Sequence, residues 1–317
     1  MAKKYFFSFI DDVIWAFRDV TRQKPASLFD NGFFKILKNA HENYGLKVQL
    51  NLFYRTDYAY GVDEFTLSEM TDAYKEEFIA SSDWLKLGVH ALQEFPDYPF
   101  VNATYDDVYK VYSMIKSEIA RFAGEGSFGY GLIPHWLPVS KEGCRALKDC
   151  GVEMLGVTVG TREEYSGDPD SLPYGHSFRL LQGKTPEAMT YTRVTKNVAI
   201  SRSVCSYNHI DDPGFEQNDK VLGYRYDKET GLIFKKLDDE FDLNQYTLAE
   251  LKEELKNRAD HTLMCIGNHE QYYYSDYAMY QPEYEAKIYE MARTLRDAGR
   301  ECIFIEELVE LGKNEIV

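Results

Sequence analysis

The sequence predicts an α/β protein, specifically a single distorted (β/α) barrel of the TIM type, with about seven or eight strand–helix units and an antiparallel β-insertion. Three observations carry this expectation. Short apolar runs of strand length alternate with longer runs of helical spacing along almost the whole chain. With 317 residues, the chain is long enough to close such a repeat as one domain spanning 1–317. One stretch, about 161–242, breaks the rhythm with Gly, Asp, Pro and Tyr and only brief alternating pieces.

The elements follow in order. Tyr5–Ile10 is nearly continuously apolar, as a strand buried on both faces should be. Gly32–Tyr44 has helical spacing of Phe33, Ile36, Leu37 and Ala40, with Gly45 to end it. Lys47–Phe53 reads as a strand. Thr66 with Glu69 makes a capping box for a helix through Ile79. Leu85–His90 is the third strand, and Asn102 or Thr104 caps a long amphipathic helix to Ala123. Tyr130–Pro134 and Met154–Val159 are strands flanking a helix over Ser140–Asp149. Within the insertion, Thr190–Val194, Val198–Val204 and Gly223–Tyr226 are the alternating pieces. Beyond it come a capping box at Thr247 and Glu250 for a helix to Arg258, a strand over Thr262–Ile266, and a helix over Glu283–Ala298. A last strand, Cys302–Ile305, precedes a closing helix, Glu306–Leu311.

Composition narrows the function classes. A formal charge of -16, from 36 Lys+Arg against 52 Asp+Glu, disfavours nucleic acid and anionic membrane surfaces as partners. The apolar run after Lys3-Lys4 is broken by Asp11 and Asp12, too early for a signal sequence or a membrane span. The cysteines (Cys144, Cys150, Cys205, Cys265, Cys302) contain no C-x-x-C pair and read as reduced thiols, so the expected compartment is the cytoplasm. Aromatic residues make up 15% of the chain. They suit stacking on sugar rings, and equally a packed core or the interface of a homo-oligomer.

In a parallel barrel, chemistry gathers where strands end. That filter selects Asp11 and Asp12 after the first strand, His90 at the end of the third, His135 after the next, and His269 and Glu270 after Thr262–Ile266. His209 lies in the insertion. Adjacent carboxylates behind an apolar strand are costly unless a cation offsets them, which a divalent metal would do. The plainer reading is that Asp11 and Asp12 cap a helix beginning near Val13. Trp136 and Tyr273 are candidate sugar contacts, against a packing role for each.

Three pieces in order and spacing, Phe7–Asp12 (FSFIDD), Gly88–Glu94 (GVHALQE) and Ile266–Glu270 (IGNHE), resemble the polysaccharide deacetylase, or NodB-homology, superfamily. Ile133–Val152 resembles that family's middle motif region. The resemblance implies a divalent-metal-dependent hydrolase, with zinc expected and cobalt, manganese or nickel as alternatives, that removes acetyl groups from a carbohydrate. It implies Asp11 as general base, Asp12 and His90 as metal ligands, and His269 as general acid. The family's second His stands four residues after the first, where this chain has Glu94; Glu94 is therefore the expected third ligand, with His135 or His209 as replacements. The Arg that steadies the family's general base is not evident. Two other readings compete: a metal-free glycosidase using Asp12 with Glu270 or Asp11 with Glu94, and a non-catalytic carbohydrate-binding barrel.

Overall fold

The computed structural model describes residues 3–56, 64–95, 99–100, 103–137, 139–157, 224–236, 240–277 and 279–313. The chain order is β1 (Tyr5–Val13), α1 (Trp15–Gln23), α2 (Gly32–Tyr44), β2 (Val48–Phe53), α3 (Lys75–Ala80), β3 (Leu85–Ala91), α4 (Tyr105–Phe122), β4 (Gly131–Leu132), α5 (Lys141–Asp149) and β5 (Met154–Val157). Then follow β6 (Tyr224–Tyr226), β7 (Ile233–Lys236), β8 (Glu240–Asp242), α6 (Leu248–Asn257), β9 (Leu263–Gly267), α7 (Tyr284–Asp297), β10 (Glu301–Cys302) and α8 (Glu307–Lys313).

The strands form two sheets. One has the order β3-β2-β1-β9-β8, all parallel, with β10 also paired to β1. The other has the order β4-β5-β7-β6, parallel except for the antiparallel β6–β7 pair. A bridge between Leu87 and Phe128, with the Gly129 amide donating to the Leu87 carbonyl at 2.9 Å, joins the edge of the first sheet to the approach to β4. Among the described residues no strand pairing closes the ring, so the expected barrel is seen here as mixed α/β architecture with parallel sheets.

Strand alternation sorts the core into two layers. Phe6 and Ile10 of β1 face the large cluster shared with the helices, as do Val48, Leu50 and Leu52 of β2 and Leu85, Leu87 and Val89 of β3. Phe7 and Phe9 face a second, smaller cluster with Ile133, Met154, Ile233, Leu263 and Cys265 from both sheets. The side of β2 and β3 turned away from the helices therefore carries Gln49, Asn51, Gly88 and His90.

Helix starts agree with the capping signals. The Asn31 side chain accepts from the amides of Phe33 and Phe34, Thr104 with Asp107 boxes α4, Ser140 caps α5, and Thr247 with Glu250 boxes α6. Gly45 ends α2 with φ 71°, the left-handed conformation that glycine adopts without cost. One expected helix is corrected. The Thr66–Glu69 box is present, but it opens a single tight turn, Leu67–Glu69, and helix resumes only at Lys75. The Arg121 guanidinium of α4 donates to the carbonyls of Leu67, Ser68 and Met70, taking acceptors that a continuing helix would have used.

The insertion is corrected at its C-terminal end. β7 and β8, inside the expected 161–242, pair in parallel with β5 and β9 and belong to the two sheets. Only three residues separate β7 from β8, too few for the helix that the alternating rhythm looks for. Thr190–Val194, Val198–Val204, His209 and Cys205 lie outside the described residues. Among the described residues, no helix is long and apolar enough to cross a membrane.

Candidate metal centre

The site lies at the C-terminal ends of β1, β3 and β9 and on the loop after β4. In a regular strand Asp11 and Asp12 would point to opposite faces. Here the pairing of β1 with β2 shifts register between Ile10 and Val13, and Asp12 has φ 63°. That local bulge turns both carboxylates towards His90: Asp11 Oδ1 lies 3.7 Å from its Nδ1, and Asp12 Oδ1 lies 3.1 Å from its Nε2. A non-glycine residue in this region costs about 1–3 kcal/mol, and Asp is among the residues that tolerate it best.

Neither aspartate caps the helix that follows. The Glu270 carboxylate does so from the end of β9, accepting from the backbone amides of Ile14 (2.8 Å), Trp15 (2.7 Å) and Ala16 (2.7 Å). Both Glu270 oxygens are thereby engaged, which removes it from the carboxylate pair that a glycosidase would need. Burial pushes the Glu270 carboxyl up to about 7, against the three amides that favour its anion.

The remaining groups converge on Asp12. His135, on the loop after β4, places Nδ1 3.4 Å from Asp12 Oδ1 and 2.9 Å from His90 Nε2. These three side chains form the cluster of potential metal ligands among the described residues. Protein ligands at corners of a tetrahedral site, with bonds of about 2.0–2.2 Å, stand roughly 3.3–3.6 Å apart. The three edges here, 2.9, 3.1 and 3.4 Å, come close to that spacing.

The outer ring nitrogens fix the tautomers. His90 Nδ1 faces the Ile133 carbonyl at 3.1 Å, and His135 Nε2 faces the Glu94 carbonyl at 2.9 Å. A carbonyl only accepts, so each outer nitrogen carries a hydrogen, and a ring in its neutral form turns a lone pair inwards. Asp12 Oδ1 is buried, with no hydrogen-bond donor aligned to it. Three acceptors facing one another repel unless a cation lies among them. The residues therefore fit a divalent ion by both spacing and donor chemistry.

Glu94 is not part of this convergence. After β3 the chain enters a loop, so four residues of separation do not bring its side chain beside His90. Its backbone carbonyl orients His135, while its carboxylate accepts from Gln271 at 3.3 Å and stands 4.0 Å from His135 Nε2. The structure thus brings His135 to the place the spacing suggested for Glu94.

His269 lies on the other side of Asp12, with Nε2 4.0 Å from Oδ2 and Nδ1 3.0 Å from the Asn244 amide oxygen. That oxygen holds the hydrogen on Nδ1 and leaves Nε2 facing the centre. Asp11 pairs alongside His269 as a parallel bridge, and its Oδ1 accepts from Asn51 at 2.6 Å.

The electrostatics separate the carboxyls. Burial, reinforced by Asp12 and opposed by His90 and Asn51, pushes Asp11 up to about 7. Burial works to raise Asp12 too, but the surrounding imidazoles of His90, His269 and His135 outweigh it and hold that carboxyl well below the usual range. Burial also lowers His90, yet Asp11 and Asp12 together raise it overall. Asp242, at the end of β8, is pushed up to about 7 by burial and by the charges of Asp11 and Asp12. Sequence reasoning missed Asn51, Asn244 and Asp242. Asn51 left a signal, a polar residue two positions after Gln49 inside an apolar strand; the other two sit where the strand pattern was not recognised.

The two candidate sugar contacts differ in setting. Trp136, with φ 60°, adjoins His135 with ring centres 6.0 Å apart. Tyr273 packs edge-on against Phe33 and Tyr284 and lies over Gly32, within the aromatic layer between the loop and α2 and α7. That is the packing role weighed against a sugar contact.

No known family model matches this sequence, nor does any curated protein. Solved structures do. The 4-α-glucanotransferase from Thermococcus litoralis is similar at a TM-score of 0.54 and 11% identity, over 98% of this chain and 40% of that one. A carbohydrate deacetylase is similar at a TM-score of 0.49 and 10% identity, over 99% and 54%. A CE4 family pseudoenzyme from Bacillus anthracis is similar at 0.45 and 8%, over 97% and 66%. The chain thus spans about two fifths of the glucanotransferase it matches. At 11% identity the likeness to the glucanotransferase structure is one of fold alone.

Proposed function

We propose that this chain is a metal-dependent hydrolase that removes acetyl groups from a sugar or short oligosaccharide. The observation that carries the proposal is the convergence of Asp12 Oδ1, His90 Nε2 and His135 Nδ1, with both imidazoles held at their outer nitrogens by backbone carbonyls. A divalent ion held there, zinc by the donor set, would act as a Lewis acid on the acyl oxygen and on the attacking water.

The chain's own residues divide the proton transfers. Asp11, raised towards neutrality, takes a proton from water as the water oxygen bonds to the acyl carbon. His269, with Nδ1–H held by Asn244 and a second proton on Nε2, gives that Nε2 proton to the departing amine or alcohol as the acyl bond breaks. The products are acetate and the free sugar amine or hydroxyl. The sugar assignment rests on the motif resemblance of the sequence, with Trp136 beside His135 as the ring-stacking candidate. The same reading takes the two sheets as facing walls of a distorted barrel around this centre, with the chain acting in the cytoplasm on a small saccharide. Self-association is compatible with it.

The test is elemental analysis of the purified protein together with acetate release from N-acetylated and O-acetylated oligosaccharides. Asp12→Ala and His90→Ala should each lose bound metal while keeping the wild-type circular dichroism spectrum. Metal that persists in both variants sinks the assignment. Metal with no acetate release leaves a binding protein, not an enzyme.

A further inference from the structure

Taking the hydrolytic centre above as its basis, we infer that Gln49 and Asn51 of β2 are positioning residues: a relay of neutral amides that holds Asp11 in place of a cationic partner. Both are fully buried, on the side of β2 turned away from the helices. Their polarity is fixed from the far end. The Gly131 carbonyl of β4 accepts from Gln49 Nε2 at 2.9 Å, and only the amide nitrogen can donate to it. The same Nε2 donates to Asn51 Oδ1 at 2.7 Å, which leaves the Asn51 nitrogen to donate to Asp11 Oδ1 at 2.6 Å. The second sheet thereby sets which way Asn51 points, although Gln49 and Asn51 both stand between Gly131 and Asp11.

The neighbouring strands keep space for these amides. A Cβ at Gly88 of β3 would stand 2.6 Å from Gln49 Nε2 and 2.8 Å from Asn51 Oδ1, and one at Gly129 would collide with Gln49 Oε1. Two glycines thus make room for two polar side chains where apolar ones would fill the layer. Stability alone does not account for the arrangement, because Gln49 Oε1 is buried without a hydrogen-bond partner. A leucine there would avoid that cost. The relay occupies Oδ1 of Asp11 and leaves Oδ2 to take the proton from water. The backbone is fixed from the opposite side, where the Asp11 amide donates to the Asn268 carbonyl at 2.8 Å. A neutral donor orients the carboxylate without the charge stabilisation that an arginine would add, which suits a base that must accept a proton.

The test uses the zinc-loaded full chain and 4-nitrophenyl acetate, reading kcat, KM and zinc per chain. Asn51→Leu should lower kcat by about 100-fold, and Gln49→Leu and Gln49→Glu by about 10-fold, with KM and zinc content unchanged. Gln49→Glu is the decisive variant. It keeps the volume and, once ionised, reverses the polarity, so kcat is read above that ionisation, where Asn51 must turn its nitrogen towards the introduced carboxylate and its oxygen towards Asp11. The double variant Gln49→Leu with Asn51→Leu should be no slower than Asn51→Leu alone. Wild-type kcat in folded Asn51→Leu and Gln49→Glu overturns the relay and leaves the hydrolase reading standing. A zinc-loaded wild type without hydrolysis overturns both.

Discussion

The ends of β1 and β3 both supply groups to the centre, and they do so by opposite means. At β1, two adjacent aspartates that strand geometry would separate are brought to one side by a bulge at Asp12. At β3, His90 and Glu94 stand at a spacing that a helix would bring together, and a loop keeps the Glu94 carboxylate out. The third potential ligand, His135, comes instead from a different strand end. Spacing in sequence has geometric meaning only within a known backbone conformation. The same numerical separation that pairs side chains on a helix carries no such meaning in a loop.

The comparison breaks most sharply at the third ligand. His135→Ala should weaken zinc binding by about 100-fold or more, measured by competition with a chromogenic chelator, because it deletes one of three converging atoms. Glu94→His should leave the affinity within about twofold of wild type. Tighter binding in Glu94→His, with little loss in His135→Ala, would restore the helical-turn reading of the β3 end.

The β1 end depends on Glu270, which holds the chain from Ile14, two residues beyond Asp12, into the first turn of α1. Glu270→Ala should destabilise the protein by about 3 kcal/mol in urea denaturation, since it leaves three amides of the helix start unpaired. Glu270→Gln, which retains an acceptor, should lose less. A loss below about 0.5 kcal/mol in the alanine variant would mean that α1 is capped by other means.

The smallest expected effect is on pH dependence. Asp11, Asp242 and Glu270 each have folded-state values of about 7, above their ordinary values of 3.8, 3.8 and 4.5. A carboxyl raised by folding binds more protons folded than unfolded. Its stabilising contribution is therefore complete in acid and is lost as pH rises from about 4 through about 7. Asp12, held low, acts the other way only in stronger acid. The thermal midpoint of the metal-free protein should fall between pH 4.5 and about 7.5, and Asp242→Asn should flatten that slope. A midpoint that rises over this window would show that these carboxyls are ionised without a metal.

Asp11, Asp12, His90 and His269 were legible because each follows a run apolar enough to be recognised as a buried strand. Gln49 and Asn51 stand in such a run, but their use is visible only once Gly131 and Asp11 are seen on either side of them. β7 and β8 were hidden because two short strands only three residues apart look, in sequence, like the Gly-, Asp- and Pro-rich stretch before them. The turn at Thr66 shows the same limit: its capping box is local and present, whereas the end of that turn is set by Arg121, more than fifty residues away.

By itself, then, the sequence determined the α/β class, most helix starts and the strand ends where the buried Asp and His side chains gather, because apolar periodicity and capping act over a few residues. Tertiary structure alone decided that both aspartates face inwards, that His135 and not Glu94 joins His90, and that Glu270 serves α1. Each of those outcomes depends on a contact between strands or loops distant in the chain, and on a bulge whose strain of about 1–3 kcal/mol only the surrounding packing can hold.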